Sequence, residues 1–246
     1  MTNDVSTVGH RLMDENSFNA IAEAELQAIV GNRQKHNAEF MVLRNHQRTG
    51  VAVADKLSGP WTILPQPIIE PAGPIRNVTV NSAVCQRPDG KYLMIIKGDK
   101  PGTTTFQRSQ AVALADTPTG PFVLQPQPAI DDYDTEDVSL WHDAARQRYY
   151  AVFHAHTYIG MITSPDGLLW QKANHFTITS KTIRMQNGSA REYSRLERPF
   201  VFRENGQPRI LSLAAQQNTT DGVDTCILFV PLHATITEAE SPKSEH

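Results

Sequence analysis

The chain has 246 residues, 39% of them apolar, and a formal net charge of −3. That length admits a single sheet-rich domain, and the modest apolar share favours many short strands over a thick helical interior. The composition excludes a basic nucleic-acid surface, and no run approaches the roughly 18 apolar residues of a membrane-spanning helix.

In chain order, MTNDVSTVGHRLMDENSF has neither the basic nor the apolar region of a secretory signal, which points to the cytoplasm. NSFNAIAEAELQAIV (16–30) has helical spacing and good helix formers, so residues 1–32 read as a partly helical extension. Residues 33–64 read as an incomplete sheet unit. From there to about residue 235 the chain repeats itself, and ITEAESPKSEH (236–246) is a polar tail.

One theme is VAVADKLSGPWTIL (51–64), AVALADTPTGPFVLQ (111–125) and GMITSPDGLLWQKA (160–173): a β-rich run, a Gly-containing turn, then an aromatic. Those aromatics, Trp61, Phe122 and Trp170, recur at matching places, and the two tryptophans read as packing between units. The other theme is NSAVCQRPDGKYLMIIKGD (81–99), EDVSLWHDAARQRYYAVFHAH (136–156) and ERPFVFRENGQPRILSLAA (197–215). In it two strands flank a polar hairpin turn at Pro88-Asp89-Gly90, His142-Asp143-Ala144 or Glu204-Asn205-Gly206. Joined, the themes give a four-stranded antiparallel unit repeating roughly every 55–60 residues, the signature of a β-propeller blade. The fold class is therefore all-β, with three good blades and one poor one. Cys85 and Cys226 lie in apolar runs and are expected as buried reduced thiols.

Superposing the second theme puts Asn81, Glu136 and Glu197 at one equivalent position, followed by Ser82, Asp137 and Arg198. The first strand of each blade lines the central channel, so these residues should ring one mouth. Carboxylates from separate blades facing one pocket suit glycosidic bond hydrolysis, which needs two carboxyls roughly 5–9.5 Å apart. Structural salt bridging by Glu197 and Arg198, and turn capping by Asp137, are the competing readings. Lys97 and Asp99 end a second strand where His154 and His156 end the next. Two histidines one residue apart invite a metal reading, but no third ligand stands at short spacing, so no metal or other cofactor is expected. Trp141 reads as core and His142 as a solvated turn residue.

These segments, with KLSGPWTILPQPIIEP (56–71) and SRLERPFVFRENGQPRILSLAA (194–215), resemble the five-bladed β-propeller glycoside hydrolases related to family 43. The likeness covers about residues 48–232 and is most specific in L-E-R-P and its preceding S-K-T-I-R-x-x-x-G. It implies an enzyme acting on glycosidic bonds of a carbohydrate substrate, with Glu136 as general acid and Asp137 and Glu197 as further catalytic carboxylates; partial burial among those like charges should raise the pKa of Glu136. It also implies Asn81 and Arg198 as sugar-binding residues, and Lys97, Asp99, His154 and His156, at the ends of the second strands, join them as substrate-binding candidates. Ser82 and Val138 stand where the family has proline, and the first-blade aspartate that serves as base has no counterpart. Asp134 is a candidate replacement. Two alternatives stand beside hydrolysis: a carbohydrate-binding propeller without catalysis, and phosphorolysis, which would need a cluster of cations at the mouth.

Overall fold

A computed structural model describes residues 37–103, 107–220 and 222–232. One helix, α1 (Asn37–Asn45), precedes fifteen strands: β1 (Ala52–Val53), β2 (Thr62–Ile63), β3 (Arg76–Gln86), β4 (Tyr92–Asp99), β5 (Arg108–Ala115), β6 (Val123–Ile130), β7 (Thr135–Asp143), β8 (Arg148–Ala155), β9 (Tyr158–Ser164), β10 (Gln171–Ser180), β11 (Thr182–Arg184), β12 (Ala190–Glu192), β13 (Arg195–Glu204), β14 (Gln207–Thr219) and β15 (Gly222–Pro231). The first sheet is β3-β4-β5-β6 and the second β7-β8-β9-β10, each an antiparallel meander; the third is β13-β14-β15, and β1-β2 and β11-β12 are short ribbons. The all-β, four-stranded antiparallel architecture expected from the repeats is thus present. A short helix also precedes the sheets, but at Asn37–Asn45; the helix expected at 16–30 lies outside the described residues. No helix among the described residues is long and apolar enough to cross a membrane.

Sheet stacking follows from the two-residue alternation of side chains. On β4, Leu93 and Ile95 pack with Val112 against Leu140, Ala151 and Phe153 of the second sheet, while Met94 and Ile96 pack on the other face under Ile68, Ile69, Ile75 and Phe122. Both faces of β4 are covered, which is why YLMII reads as an unbroken apolar run. Trp141, Val152 and Ile159 then meet Leu196, Val201, Leu211 and Leu213 of the third sheet. Ser139 Oγ accepts a hydrogen bond from Val201 N at 3.0 Å across that same boundary. The inner strands β3, β7 and β13 contact one another in order.

Several local expectations are corrected. Trp61 is exposed, because no sheet among the described residues covers the β1-β2 ribbon, whereas Trp170 packs partly buried against the core between the first and second sheets. Cys226 is exposed on β15, the edge strand among the described residues, and Cys85 is half-buried beside the core, where burial pushes its thiol up to about 11. His142 lies within β7 with its ring against Tyr149, and the turn falls later, around Gln147.

Candidate functional site

One irregularity recurs in each inner strand. Val80 pairs with Lys97 and Ala83 with Ile95, so Asn81 and Ser82 together oppose Ile96. Glu136 pairs with His154 and Ser139 with Val152, so Asp137 and Val138 oppose Phe153. Glu197 pairs with Ala214 and Phe200 with Ser212, so Arg198 and Pro199 oppose Leu213. This is one β-bulge repeated three times, the device that re-aims a side chain beside a site. Its first residue is left-handed in every copy: Asn81 at φ 52°, Asp137 at φ 56° and Arg198 at φ 51°.

The bulge corrects the superposition drawn from sequence. Asn81 is equivalent to Asp137 and Arg198, and Val80 is equivalent to Glu136 and Glu197. The apolar run starts one residue later after Asn81 than it appears to, because the unpaired bulge residue is invisible in a pattern of alternation. The second-strand comparison needs no change: Lys97 and His154 both pair with the residue before the bulge.

The bulges bring the inner strands' side chains together. Asn81 Nδ2 donates to Asp137 Oδ1 at 2.5 Å, joining the first sheet to the second. Glu136 is doubly paired, to Lys97 Nζ at 2.7 Å and to Arg108 Nη1. Arg108 also donates to Asp134, through Nε at 2.7 Å and Nη2 at 2.8 Å, and His156 Nε2 lies 2.9 Å from the same carboxylate. His154 is buried, with Nδ1 lacking a hydrogen-bond partner 3.9 Å from Glu136 Oε1. In the third sheet Arg195 donates to Glu197 Oε1 through Nε at 2.7 Å. Beside Glu197 lies a cavity of about 410 Å³ lined also by Gln216, Thr225 and Ile227.

The charges sort accordingly. Burial alone would raise Glu136, but the cations Lys97 and Arg108 hold its carboxyl down to about 2. Asp137 moves the other way: burial raises it, and the neighbouring Glu136 charge adds to the rise against the pull of Arg198 and Lys97. Burial lowers the His154 imidazole to about 4, despite the Glu197 and Glu136 charges that favour its protonation. Asp134 resists burial and falls well below the usual carboxylate range through Arg108. The raised pKa expected of Glu136 is therefore found one residue along, on Asp137, because two cations bracket Glu136.

Of the residues singled out from sequence, Asn81 and Asp137 are joined, Lys97, Glu136 and His154 meet beside them, and the charge of Arg198 acts on Asp137. Glu197 borders this group, and His156 reaches it through Asp134. Asp99 does not join them: its oxygens are taken by Arg44 of α1 at 2.6 and 2.7 Å and by Asn77 at 2.8 Å. That buried clamp ties the helix to the first sheet, and it holds Asp99 below its ordinary range against the effect of burial. Arg108 was not foreseen. It opens β5, RSQAVALA, as an unremarkable surface-type arginine, and only the stacking of sheets carries it to Glu136.

Glu136, Asp137 and His154 bring ligand atoms within 4.8 Å of one another, the one such group among the described residues. They make a poor metal centre, since both Glu136 oxygens already serve Lys97 and Arg108 and an added cation would meet those two charges.

No protein-family model and no curated protein matches the chain. Solved structures do. The RS223 β-xylosidase superposes with a TM-score of 0.52 at 15% identity over 74% of this chain, and a thermostable family-43 glycoside hydrolase with 0.51 at 15% over 81%. CoXyl43, a family-43 β-xylosidase/α-arabinofuranosidase from a compost microbial metagenome, matches with 0.51 at 16% over 74%. The chain shares the family-43 propeller fold. It spans 65%, 71% and 62% of the length of those three proteins.

Proposed function

We propose that the chain is a glycoside hydrolase that binds its sugar at the mouth formed by the three bulges, with Asp137 as proton donor and Glu197 as its partner carboxylate. The observation that carries this reading is the unequal setting of two adjacent carboxyls: Glu136 is clamped by Lys97 and Arg108, whereas Asp137 is held beside it by the neutral Asn81, so Glu136 is lowered and the buried Asp137 raised. Hydrolysis of a glycoside needs one carboxyl that keeps its proton beside others that are ionised. Asn81 orients the donor through the 2.5 Å hydrogen bond. Burial raises the donor's pKa, and the ionised Glu136 beside it adds to the rise. Glu197 keeps Oε2 free of the Arg195 contacts, which fall on Oε1. The fold is that of proteins named for β-xylosidase activity, one of them, CoXyl43, in complex with xylotriose.

Asp137→Asn, which keeps a residue tolerant of the left-handed backbone, should lower turnover of unactivated glycosides by a factor on the order of 10²–10⁴. The loss should be much smaller on aryl glycosides, whose leaving group needs no proton. Equal loss on both substrate types would remove Asp137 from the donor's role.

Sugar binding without hydrolysis is the second reading. It is favoured by the origin of the carboxylates at this mouth, Asp134, Glu136 and Asp137 from the second sheet or the approach to it and Glu197 from the third, whereas the first sheet supplies Asn81, Lys97 and Arg108. Wild-type protein that binds oligosaccharides yet cleaves none would establish it. Phosphorolysis has less support, because Lys97 and Arg108 are already engaged by carboxylates.

A further inference from the structure

The three bulges are alike in backbone and unlike in chemistry. The first two place Asn81 and Asp137 in the left-handed position, residue types that adopt it readily. The third places an arginine there, in a conformation that disfavours a long side chain. A strained backbone carrying a charged group toward a mouth is the kind of outlier that motivates a functional assignment.

The neighbouring cations are committed. Lys97 binds Glu136, Arg108 binds Glu136 and Asp134, and Arg195 binds Glu197. Arg198 is exposed and makes no hydrogen bond or ion pair among the described residues, although its charge acts on Asp137. Were its task to neutralise the acidic cluster, Asp137 would be its partner. Asn81 fills that place instead. A second unfilled group faces the same mouth: His154 Nδ1 is buried beside Glu136 without a partner, as a group awaiting a ligand would be.

We propose that Arg198 recognises a sugar bearing an anionic substituent, a uronate carboxylate or a sulfate ester. This rests on the glycoside-binding reading above and adds the substrate class to it. The guanidinium presents parallel N–H donors that match a carboxylate or an oxyanion ester two at a time. Glu136, Asp134 and Glu197 repel an anion, so the acidic group is directed to the Arg198 guanidinium and the neutral hydroxyls toward Asp137 and His154.

The test is calorimetric titration of the full chain with methyl glucuronoside and galacturonoside, the 6-sulfated methyl glucoside and galactoside, and the neutral parent glycosides. The same ligands are titrated into Arg198→Asn and Arg198→Lys. Asn is the residue the first sheet carries at this position, so the variant keeps the bulge, and circular dichroism checks its fold. An acidic sugar should bind wild type about 10- to 100-fold more tightly than its neutral parent, the range expected of one charge-assisted, hydrogen-bonded pair. The preference should shrink in 0.5 M salt, fall to near one in Arg198→Asn and survive in part in Arg198→Lys. Comparing the uronosides with the sulfates identifies the anion. Equal binding of acidic and neutral sugars, or a preference that persists in Arg198→Asn, would overturn the assignment while leaving glycoside binding intact. If folded wild type binds none of these ligands, the glycoside reading fails, and this inference falls with it.

Discussion

A carboxylate at the lip of a buried strand survives only if something compensates its lost hydration, and at Glu136 that is Lys97 and Arg108. Glu136→Gln leaves both cations without this partner. Breaking a buried pair costs about 3–5 kcal/mol, and because Arg108 keeps Asp134 the lower end is expected. A urea melt at neutral pH measures it; a change under about 0.5 kcal/mol, typical of surface sites, would mean that the pair contributes nothing. The pH dependence follows in two windows. Glu136 is held below its ordinary 4.5, so its contribution is complete above that value and is lost as pH falls toward about 2. His154, faced by Glu136, Glu197, His156 and Arg108, is lowered from 6.5 to about 4, so the unfolded chain takes up the proton first. Stability is then lost as pH falls from 6.5 to about 4 and changes no further on that account below it. Denaturation midpoints against pH should show both limbs, with the upper one missing in His154→Asn and the lower one shallower in Glu136→Gln.

At the scale of single elements, the strands are set by alternation and the sheets by what alternation leaves room for. Gly160 on β9 stands against the Phe153 ring, and a Cβ there would collide with three of its carbons. Phe153 is fully buried between sheets, so it has nowhere to move. Gly160→Ala should therefore destabilise by about 1–3 kcal/mol, the usual cost of overpacking a filled core, read as a lowered midpoint in thermal unfolding. A variant as stable as wild type would show that the ring can shift. The repeats themselves were legible in the sequence, because a hairpin turn such as Asn205-Gly206, both residues at positive φ, leaves a fixed residue signature. The bulges were not. Each inserts one unpaired residue where polar side chains already blur the alternation, so the pattern alone aligns Asn81 with Glu136, whereas the register aligns it with Asp137. The raised pKa expected of Glu136 fails for a different reason. A pattern along one strand says nothing of Lys97 and Arg108 arriving from the sheet beside it, and those two cations hold the Glu136 carboxyl down.

Across the whole molecule, the three sheets are not equally protected. The first is covered on one side by Ile68, Ile69 and Ile75 and on the other by the second sheet, and the second sheet lies between its neighbours. The third has one apolar face packed on the second sheet through Val201, Leu211 and Leu213. Its opposite face carries Phe200, Phe202, Ile227 and Phe229, each more than half exposed. Paired residues show that these belong to continuous rows, with Phe200, Ser212 and Phe229 in one and Glu197, Ala214 and Ile227 in another. Burial of apolar area is the main favourable contribution to folding, so a sheet covered on one face has about half the packing of a sheet covered on two. Local opening should therefore begin at the third sheet and spread inward. Hydrogen exchange followed strand by strand should find β15 amides exchanging first, β14 next, and β4, β5 and β8 last, near the rate set by global unfolding. Salt and pH should leave that order unchanged, because it rests on apolar area and on the edge position of β15. Protection of β15 equal to that of β4 would mean that the row of phenylalanines is covered in solution, and Phe229→Ser, which costs little at an exposed site, would then weaken that protection selectively.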